Sequence, residues 1–98
     1  MARYKLSPEA QKSLIDIKAY SVKNFGKKRA ITYLQKIRTR MLELASNPNR
    51  GALREDLKIG FYSEFIGSHT IYYRIKDNDI EIIHVLHQAM EPSKHICR

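Results

Sequence analysis

Four histidines and one cysteine carry the widest chemistry in this chain, and their spacing limits what they can do. His84 and His87 stand three apart, and His95 lies two residues before Cys97. Zinc sites draw ligands from spacings such as CxxC or HExxH, and neither occurs here. Residues three apart on a strand point to opposite faces, so His84 and His87 are not expected to share an ion. No metal site is expected, and paired or surface histidines are the simpler reading. Nucleophilic hydrolysis has no better support, because there is no GxSxG pattern and Cys97 sits where a nucleophile would be poorly held. The glycines Gly26, Gly51, Gly60 and Gly67 stand singly, so no phosphate-cradling loop and no nucleotide cofactor is expected.

Positive charge is the second resource. Residues 1–58 hold 14 Lys and Arg against 5 Asp and Glu, while residues 59–98 hold 4 against 5, giving a net of +8. Such a field favours an acidic protein or nucleic acid and speeds encounter with either. Lys27, Lys28 and Arg29, continued by Lys36, Arg38 and Arg40, could track a phosphate backbone, although charge on a surface helix is usually solvation. Tyr72-Tyr73-Arg74 could stack on a base, although aromatic filling of a sheet face is the commoner use.

These residues must be positioned by a single domain, residues 1–98, since so short a chain has room for one core only. One cysteine cannot make an internal disulfide, and neither a bilayer-length apolar run nor a secretory signal is seen, so a reducing cytoplasmic setting is expected and no membrane partner. Arg3-Tyr4-Lys5-Leu6 alternates as a short strand. Ser7 and Pro8 then open a helix whose apolar face runs through Ala10, Leu14, Ile17 and Tyr20 or Ser21. After the break at Gly26, Ala30, Tyr33, Leu34, Ile37, Met41, Leu44 and Ala45 form one continuous stripe, ended at Asn47-Pro48. The pair reads as an antiparallel helical hairpin. Glu64–Ile66 and Ser68–Ile75 follow as strands, the second alternating His69, Ile71, Tyr73 and Ile75 against Thr70, Tyr72 and Arg74. Ile80–His87 is apolar on both faces, with Ile80, Ile82 and Leu86 set against Ile83 and Val85, and is expected in the middle of the sheet. The order β-α-α-β-β-β is α+β, a helical hairpin packed on a small, mainly antiparallel sheet.

Tyr4-Lys5-Leu6-Ser7-Pro8-Glu9-Ala10, the Asp16-Ile17 to Tyr20 spacing, the Phe25-Gly26 break, and Leu44-Ala45 before Asn47-Pro48 and Gly51 follow a recognisable order. It continues through Gly67-Ser68-His69-Thr70-Ile71-Tyr72-Tyr73-Arg74 and Val85-Leu86-His87 with Met90-Glu91. Over nearly its whole length the chain resembles the ParE branch of the RelE/ParE toxin superfamily. The resemblance implies a bacterial type II toxin neutralised by a ParD-like antitoxin, a ribbon-helix-helix protein with an acidic and apolar tail, with operator DNA met only through that complex. It also implies DNA gyrase as target, with cleaved DNA complexes stabilised and no catalytic residue needed. The alternative is that of RelE-type relatives, ribonucleases that cut messenger RNA on the ribosome. Metal-free RNA cleavage needs a base, an acid and cations on the phosphate. Where such relatives carry arginine after the glycine bend this chain has His69, and after Leu86 it reads His87-Gln88-Ala89-Met90 instead of a basic run. The reduced nuclease set is His69, Arg74 and His87. The partner-binding candidates are Lys58, Tyr62, His69, Arg74, His87, Met90, Lys94 and His95.

The tail from Met90 to Arg98 carries Pro92 and the polar run Ser93-Lys94-His95, so few core contacts are expected of it. It is expected to be needed for function and dispensable for the fold; the other possibility is that Ile96 and Met90 dock on the sheet.

Overall fold

The computed structural model describes residues 3–96. In chain order the elements are β1 (Tyr4–Leu6), α1 (Pro8–Phe25), α2 (Lys27–Ser46), β2 (Ala52–Leu53), β3 (Phe61–Ile66), β4 (His69–Lys76) and β5 (Asp79–His87). Short 3₁₀ turns occupy Pro48–Arg50 and Pro92–Lys94.

Ser7 does two jobs at the start of α1. Its Oγ accepts the Ala10 N–H at 3.0 Å and donates to the Ile83 carbonyl at 2.6 Å, so the residue that caps the helix also fixes it to β5. Ala10, Ser13, Ile17 and Ser21 face inward, which settles the fourth position in favour of Ser21 and leaves Tyr20 outside. Gly26, at a φ of 88°, joins the two helices. Ala30, Ile37, Met41, Leu44 and Ala45 form the buried stripe of α2, with Tyr33 and Leu34 half-buried beside it. This stripe and the inner face of α1 cover one face of the sheet.

The sheet runs β1-β5-β4-β3-β2, with β1 parallel to β5 and the other pairs antiparallel. The middle strand is therefore β4, not β5, because β1 and the two-residue β2 both add to the edges. So short a strand as β2 has no period to read in the sequence. The register slips between β4 and β5: Tyr72 pairs with His84 and Tyr73 with Ile82, which leaves Ile83 as an extra residue. A bulge shifts side-chain alternation by one position. Ile80, Ile82 and Val85 consequently join the helix-side core, while Ile83 and Leu86 join Leu57, Phe61 and Tyr72 on the far face. The expected grouping of Leu86 with Ile80 and Ile82 is corrected by this slip.

Two polar clusters tie the end of α2 to the sheet. The Tyr73 hydroxyl, fully buried, donates to the Pro48 carbonyl at 2.7 Å and accepts the Gly51 N–H at 3.0 Å, and its ring stacks on Tyr62. Burial pushes this phenol above its ordinary range. Arg40 and Arg50 both pair with Glu43 and Glu64 at 3.0–3.4 Å, so Arg40 belongs to an ion-pair cluster and not to a free phosphate-tracking row. At the other end of the chain, Ile96 packs on the far-face cluster. The expectation that the tail makes few core contacts is corrected at that residue, and Met90 stays exposed. Cys97 and Arg98 lie outside the described residues.

Candidate functional site

The bulge, the helical hairpin and the tail meet at one end of the molecule around an open cleft of about 1070 Å³. Its walls come from α1, the start of α2, the beginning of β4, the end of β5 and the tail. All four histidines of the chain border it.

They form two edge-to-face pairs. His69 and His87 are opposite one another on β4 and β5, their ring centroids 5.4 Å apart, and His84 meets His95 of the tail at 6.2 Å. Each strand histidine is oriented by a hydrogen bond at Nδ1. The Ser13 hydroxyl donates to the Glu9 carbonyl at 2.9 Å and also meets His84 Nδ1 at 2.8 Å. The Tyr33 hydroxyl donates to the Ile66 carbonyl at 3.2 Å and accepts the Ser68 N–H at 3.2 Å. It also meets His69 Nδ1 at 2.7 Å, where the imidazole tautomer decides which atom donates. At His87, Nδ1 accepts the Ala89 N–H at 3.1 Å, so the neutral ring carries its proton on Nε2. The His87 N–H on Nε2 thus stands beside the His69 ring. Burial pushes His69 below its ordinary value, helped by His87. Burial does the same to His84, with His95 adding to it and Glu9 opposing.

His69, His87, Met90 and His95 are therefore brought together around the cleft. The remaining candidates are not. Arg74 points from the far face of the sheet, where its Nε donates to Glu81 at 2.7 Å, because alternation places it opposite to Tyr73 and His69. Tyr62 stacks in the helix-side core, Lys58 lies over Phe61 beside the far-face cluster, and Lys94 pairs with Glu91 outside the cleft. His84, Tyr33 and Ser13 were missed as site residues. His84 and His87 both border the cleft, yet the pairing is regular between them, opposite Tyr72 and His69, so they stand on opposite faces of β5 as expected; the slip lies before His84. Among the described residues no three potential metal ligands are grouped.

The cations on the cleft are Lys12 and Arg29, both from the helices, and the carboxylates of Glu9 and Asp16 stand with them. Such a cleft offers an apolar floor with imidazole donors and acceptors, suited to a peptide segment that carries both apolar and polar groups.

Residues 4–92 match the family of the ParE toxin of the type II toxin-antitoxin system parDE. Toxin ParE1 of Caulobacter vibrioides is 34% identical over 96 residues, covering 98% of this chain and 99% of that protein. Toxin ParE1 of Mycobacterium tuberculosis is 31% identical over 97% of this chain and 98% of its own length. Among solved structures, the chromosomal ParDE TA system from P. aeruginosa has a chain that superposes with a TM-score of 0.76 at 22% identity, over 89% of this chain and 96% of that one. The YoeB-YefM toxin-antitoxin complex from Staphylococcus aureus superposes less closely, with a TM-score of 0.58 at 21% identity over 89% and 97%. With a family match along almost the whole chain and relatives at this identity, the protein belongs to the ParE toxins of type II toxin–antitoxin systems.

Proposed function

We propose that this toxin acts as a binding protein on DNA gyrase, favouring the state in which DNA is cleaved, and that a ParD-like antitoxin neutralises it. A ligand that prefers one state of an enzyme shifts its population toward that state, and no bond chemistry is needed. The observation that carries this reading is the separation of Arg74 from His69 and His87. A nuclease would need a cation on the scissile phosphate, and the strand arginine that could supply it sits on the far face, held by Glu81. His69, pushed below its ordinary value, is also a poorer match for a base at neutral pH. The antitoxin's acidic and apolar tail would complement the basic half of the chain, with operator DNA engaged only by the assembled complex. Its ribbon-helix-helix portion is part of the same proposal, as is a cytoplasmic location.

Purified toxin is expected to block gyrase supercoiling and accumulate cleaved DNA, and Arg74→Ala is expected to retain that activity. Full supercoiling at excess toxin overturns the reading. One observation favours the nuclease alternative: His69 and His87 stand ring to ring, the pairing that a base and an acid would need. Ribosome-dependent transcript cleavage, lost in His87→Ala, would establish it in place of gyrase inhibition.

A further inference from the structure

The cleft has one wall that is not built from the core. β5 ends at His87, and Gln88 is pinned to the β3–β4 turn by its N–H on the Ser68 carbonyl at 2.9 Å and its side-chain amide on Gly67 at 3.0 Å. Beyond Gln88 the chain crosses from one side of the sheet to the other. The Ala89 N–H donates to His87 Nδ1, and Met90 borders the cleft. The Pro92–Lys94 turn is closed by the His95 and Ile96 N–H groups on the Pro92 carbonyl at 3.0 and 2.9 Å. His95 then meets His84 on the cleft side, while Ile96 docks on the far face.

We propose that Ala89–Ile96 is a proton-released strap across the cleft, latched at its root by His87 and at its tip by His95 against His84. The root latch needs a neutral His87, and the tip contact holds while at least one of its two rings is neutral. A protonated His87 carries hydrogen on Nδ1 and cannot accept the Ala89 N–H. Two imidazolium rings at the His84–His95 separation repel, and the same holds for His69 and His87.

The charges around these rings come from every neighbouring element. Lys12 of α1 and Arg29 of α2 border the same cleft and add to the repulsion; Glu9 and Asp16 of α1 oppose it. Glu91 and Lys94 of the strap pair with each other. Burial of His84 and His69 adds a cost to charging either ring. The Ile96 contact does not titrate, so acid loosens the strap from its root and tip while leaving an apolar anchor. The inference concerns access to the cleft and is independent of whether gyrase or RNA is the target.

Amide hydrogen exchange on the full chain tests it, with protection factors corrected for the intrinsic pH dependence of exchange and compared between about pH 7.5 and about pH 5.5, on either side of the histidine range. The Ala89 and Ile96 amides are expected to lose protection at the lower pH, while β4 amides hold theirs. His95→Phe keeps an edge-on ring without the charge and should retain protection at Ile96 at both pH values. His87→Ala should leave Ala89 unprotected at both. Unchanged protection of Ala89 and Ile96 in the parent overturns the proposal. So does an equal loss in β4, which would mean acid loosening of the whole domain, or a loss in His95→Phe as large as in the parent.

Discussion

Gly67 turns β3 into β4 at a φ of 58°, and a Cβ there would lie 2.7 Å from the Tyr33 ring and hydroxyl. Gly67→Ala is therefore expected to cost about 1–3 kcal/mol in strain and to push Tyr33 off His69. Chemical denaturation would measure the first effect and the NMR titration of His69 the second; an unshifted titration would show that Tyr33 does not orient that ring. The histidines themselves make stability depend on pH. His69 and His84 are held below their ordinary 6.5, so below that value the unfolded chain binds protons more readily than the folded one. Their contribution is complete above the unfolded value and is lost as pH falls through it toward the folded values. The melting temperature is expected to drop between about pH 7.5 and about pH 5.5, and to drop less in His84→Gln. A flat profile in the parent would contradict the half-buried, neutral state of these rings.

Among the elements, α1 depends on one hydroxyl and α2 on one stripe. Ser7→Ala removes the acceptor of the Ala10 N–H and the donor to Ile83 together, and is expected to destabilise by about 1–3 kcal/mol, above what a surface cap alone contributes. A loss below about 0.5 kcal/mol in urea unfolding would mean that water replaces both bonds. Met41 is 2% exposed in the centre of the α2 stripe. Met41→Ala should cost about 2–5 kcal/mol and Met41→Asp should prevent folding, because an unpaired carboxylate would be left in the core. A cooperative melt of the Asp variant at the parent temperature would place that stripe on a surface. The stripe was legible because seven apolar residues at helical spacing admit one face only. β2 and the bulge were not, since a two-residue pairing and a one-residue slip leave no periodic trace.

For the whole molecule, the chain's net +8 favours association with an acidic partner, and the on-rate for the antitoxin complex is expected to fall steeply as salt screens that field. An on-rate indifferent to salt would remove charge from the account of partner choice. The sequence by itself determined the α+β class, the helical hairpin, the strand carrying His69 and Tyr73, and the basic first half, because each is a matter of local period or composition. Resemblance along the chain pointed to the ParE toxins, and the family match agrees. Only the tertiary structure decided which candidate residues meet. Arg74 and His69 share a strand yet stand on opposite faces, and His84 and His87, on opposite faces of β5, both border one cleft. Ile96, in a polar tail, finds an apolar cluster built from β3, β4, β5 and the loop that holds Leu57. Proximity of this kind is set by strand register and by packing between distant segments, and the order of residues along a chain does not contain it until the chain has folded.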